Sequence, residues 1–318
     1  MSIEMIFLGT SCSTPTTERN LSSMALLFRG NQLLFDTPEG VQQQMMRTGL
    51  SYLKVEHIFI SHFHADHILG LPGLVATMSI HERKKDLHIY GPRGIEEKIK
   101  QAVALANALP TFRIIPHEIK EGVLLKHHEY TIHALELNHS SKCYGFVFEA
   151  NGKEGEFQRT KAIKLGIPEG TLWGKLQRGE TITHNKKKIT PAQVMDYTKA
   201  LRGGKIAYIT DTFPHTHYID QLKKMKIDVL IHESSFMENE KERAEEVKHS
   251  TARMAGEIAQ RIGAAQLFLT HFSPRYANGK EMVKEARKEF TNVVGAHDLL
   301  RVETPERYPI TAKTRTKK

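Results

Sequence analysis

Four side chains able to bind a metal ion lie close together in Ser61-His62-Phe63-His64-Ala65-Asp66-His67. His62 and His64 are two apart, so on an extended stretch both rings leave the same side and can share one ion. Asp66 and His67 follow where the chain turns into a helix at Ile68-Leu69-Gly70-Leu71-Pro72, and there they can face a second ion. Imidazoles and a carboxylate packed this tightly without a cation would carry desolvation and repulsion costs with no return. Ligand type and spacing therefore predict a metal-binding motif.

Further donors are expected at the same level of the fold. Thr131–Leu137 alternates like a half-buried strand and ends at His139, and the buried run Lys205–Thr210 ends at Asp211. Asp228–Ile231 leads to His232 and Glu233, and Gln266–Thr270 leads to His271. Together with Val55–Ile60, which precedes the first motif, five strands deliver His, Asp or Glu at their C-terminal ends, where open sheets gather their sites. Each of His139, Asp211 and His271 alone would be an ordinary loop residue. Beside the first motif they complete a two-metal site. His62, His64 and His139 supply one ion, Asp66, His67 and His271 the other, and Asp211 bridges with its two oxygens. Nitrogen-rich, thiol-free ligation favours two Zn²⁺ per subunit, with Mn²⁺, Co²⁺ or Fe as alternatives. Two ions about 3.5–4 Å apart would activate a shared water and stabilise an in-line phosphoryl displacement.

These ligands need a framework. Strands are expected at Glu4–Leu8, Met24–Phe28 and Gln32–Phe35, the last two joined by the hairpin signal Arg29-Gly30-Asn31. Helices are expected at 40–48, Gly94–Leu109, Pro191–Leu201, Thr251–Ile262 and Lys280–Phe290. Strands and helices in mixed order give an α/β protein with sheet sandwiched by helices.

The composition, 40% hydrophobic and 25% charged over 318 residues, is that of a soluble globular chain. No apolar run approaches the roughly 20 residues of a membrane span, and the N-terminus lacks the basic region of a secretory signal. Only Cys12 and Cys143 are present, so buried thiols in a reducing cytoplasm are expected rather than a disulfide framework. The net charge of +9 favours a polyanionic partner. Part of it lies in a basic C-terminal tail, 311–318. Another part lies in an insert, 152–188, with few apolar periods and a basic balance, which reads as a candidate nucleic-acid contact. Trp173 within it would either pack on RNA or anchor the insert to the body. The remaining histidines, among them His57, His88, His117, His127 and His128, have no ligand spacing and are expected to be surface or core residues.

The chain resembles the metallo-β-lactamase superfamily in its strand followed by His62-Phe63-His64-Ala65-Asp66-His67, with His139, Asp211 and His271 downstream. Within it the chain resembles the tRNase Z family. Supporting matches are Pro15-Thr16-Thr17-Glu18-Arg19-Asn20, Gly70-Leu71-Pro72-Gly73-Leu74, Tyr90-Gly91-Pro92-Arg93-Gly94, His249-Ser250-Thr251 and the arm segments at 166–170 and 176–179. The chain departs from the family's pattern at Thr17, Ser234, Ser235 and Thr210. The resemblance implies a four-layer αββα sandwich over 1–310, with a protruding basic arm. It implies cleavage of precursor tRNA after the discriminator nucleotide, with Asp66 orienting or deprotonating the water. His249, held by Glu233, would protonate the leaving oxygen; otherwise His249 is a helix N-terminal residue capped by Ser250. It further implies RNA contacts through Arg19, Lys175, Arg178 and Arg275, a homodimer, and no membrane association.

Overall fold

The computed structural model describes residues 2–276 and 279–309, and the basic tail at 311–318 lies outside them. The chain divides into two compact units, one running to Glu149 and resuming over Lys205–Thr304, the other formed by Ala150–Gly204 and the segment from Pro305.

The larger unit holds two sheets. The first is built from β1 (Ser2–Gly9), β2 (Ser23–Phe28), β3 (Asn31–Phe35), β4 (Val55–Phe59), β5 (Leu87–Gly91) and β6 (Ile114–Glu118). The second contains β7 (Gly122–Lys126), β8 (Tyr130–Leu137), β9 (Cys143–Ala150), β10 (Lys205–Ile209), β11 (Val229–Glu233), β12 (Gln266–Thr270) and β13 (Val293–Gly295). A last strand, β14 (Arg301–Pro305), returns to the first sheet beside β1, giving the order β14-β1-β2-β3-β4-β5-β6. The second sheet runs β13-β12-β11-β10-β9-β8-β7.

Alternation along the strands sorts their side chains into layers. In β4 and the residue after it, Ile58 and Ile60 face one way and His57 and Phe59 the other. Ile58 and Ile60 join Ile6, Leu34 and Ile89 in a core with helices α1 (Val41–Arg47), α3 (Leu71–Ile80) and α4 (Ile95–Leu105), where α2 is the one-turn helix Ala65–Ile68. Phe59 and Phe35 point to the second sheet and meet Phe146 at 5.6 and 5.7 Å between ring centroids. The far face of that sheet (Val147, Ala207, Leu230, Leu267) packs on α5 (Thr216–Met225), α6 (Ala252–Ile262) and α7 (Lys280–Ala286). Helix, sheet, sheet, helix is the expected four-layer order. β3, β4 and β5 run parallel, as do β10, β11, β12 and β13, so their C-terminal ends share one edge of each sheet.

Several boundaries differ from expectation. The helices expected at Gly94–Leu109 and Lys280–Phe290 stop at Leu105 and Ala286. The N-cap of α6 is Thr251, whose Oγ1 accepts from the Met254 amide, rather than Ser250. No α-helix forms over Pro191–Leu201. Thr190 and Gln193 make a capping box around one 3₁₀ turn, Asp196 caps a second at Tyr197–Lys199 by accepting from the Thr198 amide, and Leu201 starts a strand, Leu201–Gly203. Capping side chains reward short turns there, and Val194 and Met195 lack a helical apolar period to continue them.

The smaller unit is a folded body, wider than the arm expected at 152–188. Its core gathers Ala162, Ile167, Trp173, Leu176, Ile182, Ile189 and Val194. Trp173 is 6% exposed and donates from Nε1 to the Ile167 carbonyl at 3.0 Å, so it holds this unit together instead of forming a tip. Its elements are two helices, Arg159–Lys164 and Thr171–Gln177, and paired strands of two or three residues. Elements this short show no period in the sequence.

Candidate metal centre

Two donor clusters meet at the shared strand ends. His62, His64, His139 and Asp211 bring ligand atoms within 4.8 Å of one another, and so do Asp66, His67, Asp211 and His271. Asp211 belongs to both. Its Oδ2 lies 3.7 Å from His62 Nε2 and 3.8 Å from His139 Nε2. Its Oδ1 lies 3.3 Å from His67 Nε2 and 3.1 Å from His271 Nε2. Asp66 Oδ2 is 3.6 Å from His67 Nε2 and 3.7 Å from His271 Nε2. All seven residues expected as ligands are thus brought together in the expected grouping.

Position follows from the strand ends. β4 delivers His62 and His64, and α2 turns Asp66 and His67 back toward them. Gly70 permits that turn, because a Cβ there would sit 1.9 Å from the Pro38 carbonyl oxygen. β8, β10 and β12 deliver His139, Asp211 and His271. His271 holds a left-handed φ of 59°, unusual for a residue with a Cβ, so the surrounding packing must impose it.

Partners behind the rings fix which nitrogen faces the cleft. His67 Nδ1 donates to Asp36 Oδ2 at 2.8 Å. Ser61 Oγ donates to Asp36 Oδ2 at 3.0 Å and receives His62 Nδ1, also at 3.0 Å. His139 Nδ1 donates to the Lys248 carbonyl at 3.0 Å, and His271 Nδ1 donates to Ser235 Oγ at 2.9 Å. The Nε2 lone pairs of these four rings therefore point inward. His64 instead presents Nδ1, 3.2 Å from His139 Nε2.

The donor set fits divalent cations. Nε2 of His62, His67 and His271 is buried without a hydrogen-bond partner, an arrangement costing about 1–3 kcal/mol per group unless something else binds it. Burial opposes the Asp211 carboxylate, yet the charge of the His271 and His67 rings holds it well below the usual carboxylate range; against burial, Asp211 and Asp36 in turn hold His67 well above the usual imidazole range, so a cation binding here displaces a proton. Burial likewise opposes the charge of Asp66, and the same two rings overcome it. Burial, helped by His67, keeps His62 neutral, as a ligand must be.

Glu233 and His249 stand at the edge of the centre. Glu233 is fully buried and accepts from His249 Nδ1 at 3.0 Å, and from the amides of Thr212, Ser250 and Ser235 at 2.9–3.1 Å. Burial disfavours the His249 cation, but the Glu233 carboxylate raises its pKa to about 9. His249 Nε2 then faces Asp211 Oδ2 at 4.0 Å.

The residues expected to contact RNA lie elsewhere. Arg19 is held internally: it donates to Thr10 Oγ1 at 2.6 Å and the Ala296 carbonyl at 3.0 Å, and lies over the Phe272 ring. Arg275 pairs with Glu240 at 3.0 Å and lies over Phe236. Lys175 and Arg178 belong to the smaller unit, exposed on and just after its second helix, with Arg178 paired to Glu180. Among the described residues His232 joins no donor cluster, and it bonds the Tyr218 hydroxyl at 3.2 Å. Cys12 and Cys143 are the buried thiols expected, burial pushing Cys12 up to about 12.

The sequence reading missed Asp36, Ser61 and Ser235, which orient the ligands. The strand-end rule applied to Gln32–Phe35 would have flagged Asp36, whose amide bonds the Phe59 carbonyl. The amide of Ser13, which holds Asp66 Oδ2 at 2.8 Å, carried no signal.

Fold and site together define a metallo-β-lactamase-fold protein with a divalent-metal centre. The metallo-β-lactamase-fold protein YhfI of Bacillus subtilis superposes with a TM-score of 0.68 at 18% identity, over 95% of this chain and 99% of its own. The short form of human tRNase Z gives 0.69 at 25% identity, over 95% of this chain and 99% of its own. The family described as anti-Pycsar protein Apyc1 matches residues 3–153. Ribonuclease Z of Haloarcula marismortui is 40% identical over 312 residues, covering 96% of this chain and 99% of that protein. The chain belongs to the ribonuclease Z family.

Proposed function

We propose that the chain is a zinc-dependent endoribonuclease that removes the 3′ trailer from precursor tRNA after the discriminator nucleotide. The observation that carries this reading is Asp211 shared between two donor clusters, with the Glu233-held His249 beside them. The Haloarcula relative named ribonuclease Z and the human tRNase Z supply the substrate class.

His62, His64 and His139 would hold one ion, Asp66, His67 and His271 the other, with Asp211 between. When bound, the ions supply Lewis acidity, which activates water at neutral pH and offsets charge on the phosphoryl oxygens. Asp66, fixed by the Ser13 amide, orients the attacking water or takes its proton at its carboxylate. Water oxygen adds to phosphorus as the bond to the 3′-oxygen breaks. His249 protonates that oxygen from Nε2, while Glu233 holds Nδ1. The tRNA keeps a 3′-hydroxyl and the trailer a 5′-phosphate. Bases of the smaller unit, Lys175 and Arg178 among them, would bind tRNA phosphates with a steep salt dependence. A homodimer and a cytoplasmic location belong to the same reading.

Mapping the cut in a 3′-extended precursor tRNA, with and without chelator, tests it. One chelator-sensitive cut after the discriminator base is expected. Hydrolysis of a small phosphodiester with no cut in the tRNA would reassign the chain as a general phosphodiesterase.

A further inference from the structure

Away from that centre, the first sheet gathers more imidazoles. His57 on β4, His88 on β5 and His117 on β6 share one face of three adjacent strands: His57 is in register with His88, and Tyr90, two residues along from His88, with His117. Their rings stack, His57 on His88 at 5.1 Å and His88 on His117 at 5.2 Å between centroids, with interplanar angles of 25° and 22°. Tyr90 lies on His117 at 4.4 Å, and its hydroxyl is 3.4 Å from His57 Nδ1.

Nδ1 of His88 meets Nε2 of His117 at 2.9 Å. His64 and His139 also bring two ring nitrogens together in the main centre, at 3.2 Å, with their planes 75° apart where those of His88 and His117 are 22° apart. Nitrogens about 2.0–2.1 Å from a tetrahedral zinc ion lie roughly 3.3 Å apart, so a small adjustment lets both rings hold one ion. All three histidines are half-buried, open enough for an ion to enter. Burial and the neighbouring His88 push His57 down to about 4 and also lower His117, so both rings are neutral at neutral pH, and an ion would replace the hydrogen bond between His88 and His117. The turn His127-His128-Glu129 adds a group of donors within 4.8 Å of one another, and His127 acts electrostatically on His57.

We propose that His88 and His117, backed by His57, form a peripheral site for a borderline transition-metal ion of the zinc or copper class. Imidazole ligation suits such ions, with water completing the shell. The ion would tie β6, the edge of its sheet, to β5. This site is independent of the proposed catalysis.

The test uses untagged full-length protein whose main centre is already filled with zinc. Further Zn²⁺ or Cu²⁺ is titrated in and metal is counted per chain, for wild type and for His88→Ala/His117→Ala. Wild type is expected to bind one more equivalent than the variant, at least tenfold more tightly than any residual site. Copper in that site should show nitrogen hyperfine structure that the variant lacks. Zinc beyond saturation of the main centre should raise the wild-type Tm and leave the variant's unchanged. Retained hydrolysis shows that the variant is folded, and His117→Gln serves if the double variant is not. Equal metal content and identical spectra would overturn the proposal, leaving a hydrogen-bonded imidazole pair. So would loss of the extra equivalent only on changing His127 and His128.

Discussion

Replacing Glu233 by Gln removes one charge while keeping a similar shape in a fully buried site. Glu233 is what lifts His249 to about 9 against its burial, so the variant's imidazole should fall back at least to its ordinary 6.5. At pH 8, about nine in ten groups of pKa 9 carry the proton, against about one in thirty at 6.5. If His249 acts as the acid, the proton donor is depleted roughly thirtyfold, less than the 10²–10⁴ lost when general acid catalysis is removed outright. The sign follows: an acid works below its pKa, so activity falls as pH rises through it. Bound cations lower both values, so the quantity to measure is the difference between wild type and variant. The assay is kcat against pH for precursor tRNA and for bis-p-nitrophenyl phosphate, whose leaving group needs no proton. The alkaline limb on tRNA should move down by about 2.5 pH units in Glu233→Gln, with the artificial ester scarcely affected and metal content unchanged. An unmoved limb, or equal loss on both substrates, would refute the proton-donor role.

Other consequences are open to measurement. His249→Ala should slow tRNA cleavage by a factor on the order of 10²–10⁴ with metal content intact; loss of metal would make it a ligand instead. Asp36→Asn and Ser235→Ala should each weaken metal binding about 10–100-fold in a chelator competition, because His67 and His271 lose their orienting partners. Trp173→Ala empties the core of the smaller unit at a cost of about 3–5 kcal/mol. It should raise KM for precursor tRNA far more than for a small diester, whereas equal loss on both would give that unit a purely structural role. Glu149, held down to about 2 against its burial by His133 and Lys205, should stabilise the fold at neutral pH. That contribution is lost as pH falls from about 4.5 toward 2, so the Tm gap between wild type and Glu149→Gln should shrink over that interval.

Much of the centre was legible because its ligands share one structural address. A strand that ends in His, Asp or Glu is a local signal, and parallel strands bring such ends together without further information. Spacing paired His62 with His64 and Asp66 with His67; giving His139 to the first pair and His271 to the second rested on counting donors per ion. The supporting partners were harder to read. Ser61 and Ser235 look like any serine, and they matter only because Asp36 and Glu233 lie behind them in three dimensions. Arg19 carries a second role that its sequence position hides: a base in a loop reads as a phosphate contact, and here part of its guanidinium also ties down Thr10, Ala296 and Phe272. The smaller unit was read as an arm because its apolar residues are spread over turns too short for periodicity. His57, His88 and His117 read as surface or core residues because about thirty residues separate each from the next, and only parallel register aligns them.

The most direct test of the two-cluster centre is stepwise reconstitution of metal-free protein with zinc, following bound metal and single-turnover cleavage of precursor tRNA together. Full activity at two equivalents per chain, with Asp211→Ala unable to retain either tightly, is the predicted result. Full cleavage at one equivalent, or cleavage by metal-free protein, would contradict it.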